Sequence, residues 1–93
     1  MDENKIIITV SGSDKVGIVA SVATLLSKNK VNIEDIKQTL MQGHFVMFML
    51  CDIGQAELNF KELKNLLIEE GNKLELEIWV QKKGIFEKMH TLG

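Results

Sequence analysis

The chain has 93 residues, is 45% hydrophobic and 26% charged, and carries a net charge of −2 with lysine as its one strongly basic residue type. Arginine reads phosphate and guanine bidentately, so its absence, with the acidic balance, argues against a nucleic-acid partner. A single cysteine, Cys51, excludes an internal disulfide. The acidic start "MDENK" lacks the apolar core of a signal peptide, and the longest apolar run, residues 45–51, is too short to span a bilayer. These features predict a cytoplasmic protein with no membrane association. A domain this small buries about two-thirds of its unfolded surface, so a partner would help to stabilise it.

Residues 6–10 are continuously apolar, as in a buried central strand. From residue 16 the period changes. Val19, Val22, Ala23 and Leu26 recur at helical spacing with Ile18 and Leu25 beside them, and Ser21, Ser27 and Lys28 fall on the other side. Lys28, Asn29 and Lys30 close this helix with cations where the dipole favours them. A second strand is expected over residues 32–41. Ile36, Gln38 and Leu40 share one face but Ile33 is out of phase, which predicts a bulge near Glu34 and Asp35.

Gln42-Gly43 makes a tight turn into the strand at residues 45–51. That strand is apolar on both faces: Phe45, Met47, Met49 and Cys51 on one, Val46, Phe48 and Leu50 on the other. A second helix is expected over residues 58–70, with Phe60, Leu63 and Leu67 as its stripe, Leu66 widening it and Gly71 as its stop. In the last strand Leu74, Leu76, Ile78 and Val80 alternate with Glu75, Glu77, Trp79 and Gln81. A short helical tail follows, with Ile85, Phe86 and Met89 on one side.

The order strand, helix, strand, strand, helix, strand predicts an α+β fold: a ferredoxin-like βαββαβ domain over residues 1–93, with a four-stranded antiparallel sheet and both helices on one face. The other face is then bare although the strand at residues 45–51 is apolar on both sides. Contiguous exposed apolar surface marks interfaces, so a homodimer is expected.

Catalytic constellations are missing from the pattern. Neither His44 nor His90 has metal-ligand neighbours, so both read as surface residues and no metal or cofactor is expected. Cys51 has no adjacent base and reads as a buried small hydrophobe. Gly12 and Gly17 have phosphate-loop spacing, but Ile18 and Val19 follow where Lys and Ser or Thr are needed. Glu34 and Asp35, adjacent on a strand, should point to opposite faces and share no substrate. No catalytic residue is assigned, and an enzyme is the least favoured class.

The stretch "SGSDKVGIVA" at residues 11–20 is the informative loop. Gly17 stands early in the helix's first turn, where glycine costs about 1 kcal/mol relative to alanine. Strand-to-helix loops leave amides unpaired at the positive end of the helix dipole, a place for a small anion. Ser13 or Asp14 is placed to cap one amide, and a glycine lets a carboxylate approach the backbone. Asn32 can donate to or accept from the ligand's other end. Equally, Gly17 could serve packing alone, with Asp14 satisfying the dipole.

The segments "GSDKVGIVASVATLL", "NIEDIKQT" and "FVMFMLCDI" together resemble the ACT domain, and nearly the whole chain takes part. The likeness is greatest to small stand-alone bacterial and archaeal ACT proteins, and extends to glycine-cleavage repressor accessory proteins and the N-terminal domain of formyltetrahydrofolate deformylases. It implies a regulatory module that binds an amino acid or related small carboxylate between two domains. Carried over, loop contacts fall on Asp14, Lys15, Val16, Gly17 and Ile18, and the partner subunit's contacts on the positions of Asn32 and Ile33. With no catalytic or DNA-binding domain attached, output is expected through a partner enzyme or regulator. The alternative is an adaptor dimer that needs no ligand.

Overall fold

A computed structural model describes residues 2–13 and 16–89. After a single 3-10 turn at Asp2–Asn4 come β1 (Lys5–Ser13), α1 (Ile18–Lys28), β2 (Asn32–Met41), β3 (His44–Asp52), α2 (Phe60–Lys73), β4 (Glu77–Lys82) and α3 (Lys83–Met89). The strands form one antiparallel sheet in the order β2-β3-β1-β4. This is the ferredoxin-like arrangement expected from the sequence. Among the described residues no helix is long and apolar enough to cross a membrane.

The core lies between the sheet and the pair α1 and α2. Ile6, Ile8 and Val10 of β1 and Phe45, Met47, Met49 and Cys51 of β3 point into it, opposite Ile18, Val22 and Leu26 of α1 and Leu63 and Leu67 of α2. The apolar stripe of α1 is therefore centred on Ile18, Val22 and Leu26, with Val19 and Leu25 at its margin. β1 is longer than the apolar run that marked it, reaching Ser13, because its polar end still pairs with β3.

β2 carries the expected bulge. Its pairing with β3 slips between Ile33 and Asp35, so Glu34 is the extra residue. The slip returns Ile33, opposite buried Cys51, and Ile36, opposite buried Met49, to the core side despite their odd spacing. It also corrects the expectation that Glu34 and Asp35 face opposite ways. With one residue inserted, Glu34 reaches Lys5 while Asp35 lies beside outward-facing Leu50. Gln42 and Gly43 both have positive φ, 51° and 81°, the two-residue turn that matches strand twist.

Both helices end alike. In α1 the Val31 N–H donates to the Leu26 carbonyl (3.0 Å) and that of Lys30 to Ser27 (3.1 Å), with Lys30 at φ 58°. In α2 the Leu76 N–H donates to Gly71 (2.8 Å) and that of Glu75 to Asn72 (3.3 Å), with Glu75 at φ 57°. Each is a Schellman cap closed by a left-handed residue that is not glycine.

Gly71 is not the stop of α2. The helix runs past it to Lys73, and a β-carbon at Gly71 would lie 2.9 Å from Ile78 Cγ1 and 3.0 Å from the Leu76 carbonyl, so this glycine lets α2 touch β4. The extra turn also removes Leu74 and Leu76 from the strand, and β4 starts at Glu77.

Candidate functional site

The two helix starts differ. α2 is sealed: the Glu62 N–H donates to Asn59 Oδ1 at 2.8 Å, and the Asn59 N–H donates to Glu62 Oε1 at 3.0 Å. This reciprocal pair satisfies two otherwise unpaired donors. α1 begins at Gly17, which is its N-cap and not a first-turn residue; its carbonyl accepts from the Ser21 N–H at 2.9 Å. Gly17 has φ 86° and no side chain to receive an amide proton, and no described side chain takes that role. Among the described residues, the first-turn amides of Ile18, Val19 and Ala20 at the positive end of the dipole have no side-chain partner.

This geometry changes the account of Gly17. A β-carbon there would meet nothing within 4 Å, so close packing is not what requires glycine. The left-handed φ does, since a residue with a β-carbon rarely adopts it. A bulky Gly17 variant consequently strains the backbone as well as filling the loop.

Of the loop residues marked from sequence, Asp14 and Lys15 lie outside the described residues. Val16 is fully exposed. Ile18 is buried at 4% exposure, so its side chain belongs to the core and its backbone N–H alone faces the loop. Ser13 is the last residue of β1, opposite His44, and does not cap α1.

Asn32 and Ile33 are elsewhere. Asn32 pairs with Asp52, which pairs with Lys5, whereas the loop leaves from Ser13 at the far end of β1. Eight residues of strand separate the two rows, about 26 Å at ~3.3 Å per residue. One chain does not bring the loop and Asn32 together. Ile33 turns its side chain to the core, but β2 is an edge strand, and its outer backbone groups face away from the sheet.

Around Asn32 the structure adds residues that the sequence reading missed. Lys5 bridges Glu34 of the bulge and Asp52 of the same row, the latter at 3.5 Å. The hydrogen bond to Glu34 holds the Lys5 ammonium above its ordinary pKa. Asp52 is held below the ordinary carboxylate value, first by the Gly54 N–H donating to it at 2.7 Å and then by the Lys5 charge. The out-of-phase Ile33 was the signal that could have located this cluster.

The remaining candidates are structural. Burial pushes the Cys51 thiol up to about 12, the state of an inert core cysteine. His44 is exposed and its Nε2 lies 3.0 Å from Ser11 Oγ; His90 lies outside the described residues. On the tail, Phe86 meets Phe48 edge to face, 6.1 Å between centroids, while Ile85 turns to a different recess beside Glu3 and Lys88. The three apolar tail residues therefore do not share one side.

The fold is that of ferredoxin-like domains, and comparison with known proteins makes that assignment specific. The ACT domain family model matches residues 4–81, and the chain belongs to this family of regulatory, small-molecule-binding domains. It is 48% identical over 88 residues to a UPF0237 protein of Clostridium acetobutylicum, covering 95% of this chain and 99% of that one. A solved ACT domain protein from Streptococcus pneumoniae superposes with a TM-score of 0.77 at 37% identity, covering 89% and 93% of the two chains. A solved structure described as a glycine cleavage system transcriptional repressor gives a TM-score of 0.73 at 25% identity, covering 83% of this chain and 44% of the other.

Proposed function

We propose that this chain is a homodimeric sensor that binds an amino acid or related small carboxylate between two copies and acts on a partner protein. One copy supplies the β1–α1 loop, with Asp14, Lys15, Val16, Gly17 and the Ile18 amide; the other supplies the start of β2, with Asn32 and the backbone at Ile33. The observation that carries the reading is the contrast at the helix starts. It supports a carboxylate ligand: amides at a positive helix end that no described side chain caps favour an anion, and Asn32 can bond what the carboxylate does not occupy. Asn32 is at the other end of the sheet, so a site that uses both it and the loop takes them from two copies.

Thermal unfolding against amino acids, formate and short carboxylates tests the reading. A ligand at about 100 times its Kd adds roughly 2.7 kcal/mol. Each kcal/mol raises Tm by about 4–8 °C in a domain of this size. A rise that Gly17→Asn abolishes supports the sensor; a flat panel at millimolar concentration rejects it.

An adaptor dimer that needs no ligand is the second reading. The exposed Phe48, Trp79, Ile85 and Met89 favour it. A partner protein captured equally with and without small molecules would establish it.

A further inference from the structure

The sheet face opposite α1 and α2, which α3 covers in part, carries a recess of small-molecule dimensions. Alternation along the strands turns Ile7, Leu50 and Phe48 to this side, and register sets them in two adjacent rows: Asp35, Leu50 and Ile7, then Lys37 and Phe48. Rows lie two residues apart and neighbouring strands about 4.8 Å apart, so these side chains form one patch. Phe86 of α3 closes one side of it by its edge-to-face contact with Phe48. The result is a recess of about 350 Å³ lined by Ile7, Leu50, Phe48, Phe86, Asp35 and Lys37.

Two properties of this recess decide its occupant. Its floor is apolar and partly aromatic, and its volume is that of a site for one small molecule. Its rim on β2 carries one anion and one cation, two residues apart on the same face. Neither is engaged with an opposite charge among the described residues: Asp35 Oδ1 accepts from the Ile36 N–H at 2.9 Å, and Lys5, the nearby cation, is already shared by Glu34 and Asp52.

We infer that this recess binds a small zwitterion with an apolar or aromatic body, its ammonium on Asp35, its carboxylate on Lys37 and its body against Ile7, Leu50 and the Phe48–Phe86 pair. A singly charged amphiphile would leave one rim group solvated, and a purely apolar molecule would leave both. The site lies on the opposite side of the sheet from α1, goes beyond the loop site proposed above, and stands or falls separately from it.

The test follows Ile and Leu methyl resonances of the full chain while L-phenylalanine is added, with 3-phenylpropionate and 2-phenylethylamine as singly charged controls. Saturable shifts at Ile7 and Leu50 are expected, with each control binding about fivefold more weakly, as for a rim-exposed ion pair. Asp35→Asn, which keeps the acceptor for the Ile36 N–H, and Lys37→Gln should each weaken L-phenylalanine by a similar factor. Gly17→Asn should leave these shifts unchanged. The inference is overturned if Ile7 and Leu50 do not shift, if both controls bind as tightly as the zwitterion, or if the shifts follow protein concentration instead of ligand, which would make the face a contact between copies.

Discussion

The two halves of the molecule build the same strand–helix–strand unit and finish their helices with the same cap, yet they start those helices in opposite ways. α2 opens with a reciprocal Asn59–Glu62 pair that uses up its first donors. α1 opens at a left-handed glycine that offers no side chain. Their glycines differ just as sharply. Gly71 is a matter of space, since a β-carbon would strike β4, whereas Gly17 is a matter of conformation in open surroundings. Shared requirements of folding, closing a helix and returning to the sheet, are met identically in both halves. What differs is the end that a ligand would use.

Substitutions at these positions should separate space, conformation and capping. The largest loss is expected at Gly71→Val, where overpacking against Ile78 and a backbone carbonyl should cost about 3 kcal/mol in urea unfolding. A Gly71→Val protein of unchanged stability would mean that α2 does not touch β4 as described. Gly17→Val should cost about 2 kcal/mol through a strained φ with no clash. Asn59→Ala, which opens α2 as α1 is open, should cost about 1 kcal/mol. Asparagine tolerates the left-handed region, so Gly17→Asn should lose only a few tenths of a kcal/mol. If it unfolds as readily as Gly17→Val, crowding and not φ is the constraint there.

The effect of pH is smaller and belongs to the other end of the sheet. Asp52 is held below its unfolded value, so its contribution is present above the ordinary carboxylate range and disappears as pH falls through the folded value. Lys5 is raised, so its contribution is present below the ordinary lysine value and is lost as pH rises past it. Asp52→Asn should therefore flatten the acid limb of a plot of urea midpoint against pH. An unchanged limb would exclude Asp52 as its source.

Much of this was legible in the chain. The order of the elements announced a four-stranded sheet with α1 and α2 on one face, and the misphased Ile33 announced the bulge. Periodicity could not place the end of α2, because Gly71 has the same local signature as a stop and the reason for it is Ile78, seven residues on. Nor could it show that Leu74 and Leu76 leave a helix before the strand begins, since a Schellman turn preserves the alternation. The loop was legible as a place; that Gly17 is left-handed, and that Asn32 stands at the far end of the sheet, required the register of β1 with β3.

That separation makes a complementation experiment decisive. Chains carrying Gly17→Asn and chains carrying Asn32→Ala are unfolded, mixed and refolded together, and the mixture and each pure variant are then titrated with the amino acid or carboxylate that stabilises the native protein. A site shared between copies leaves both pure variants without binding, while the mixed dimer pairs an intact loop with an intact Asn32 and regains one site by calorimetry. Failure of the mixture to bind, with both variants folded and dimeric, would contradict a ligand site built from two chains.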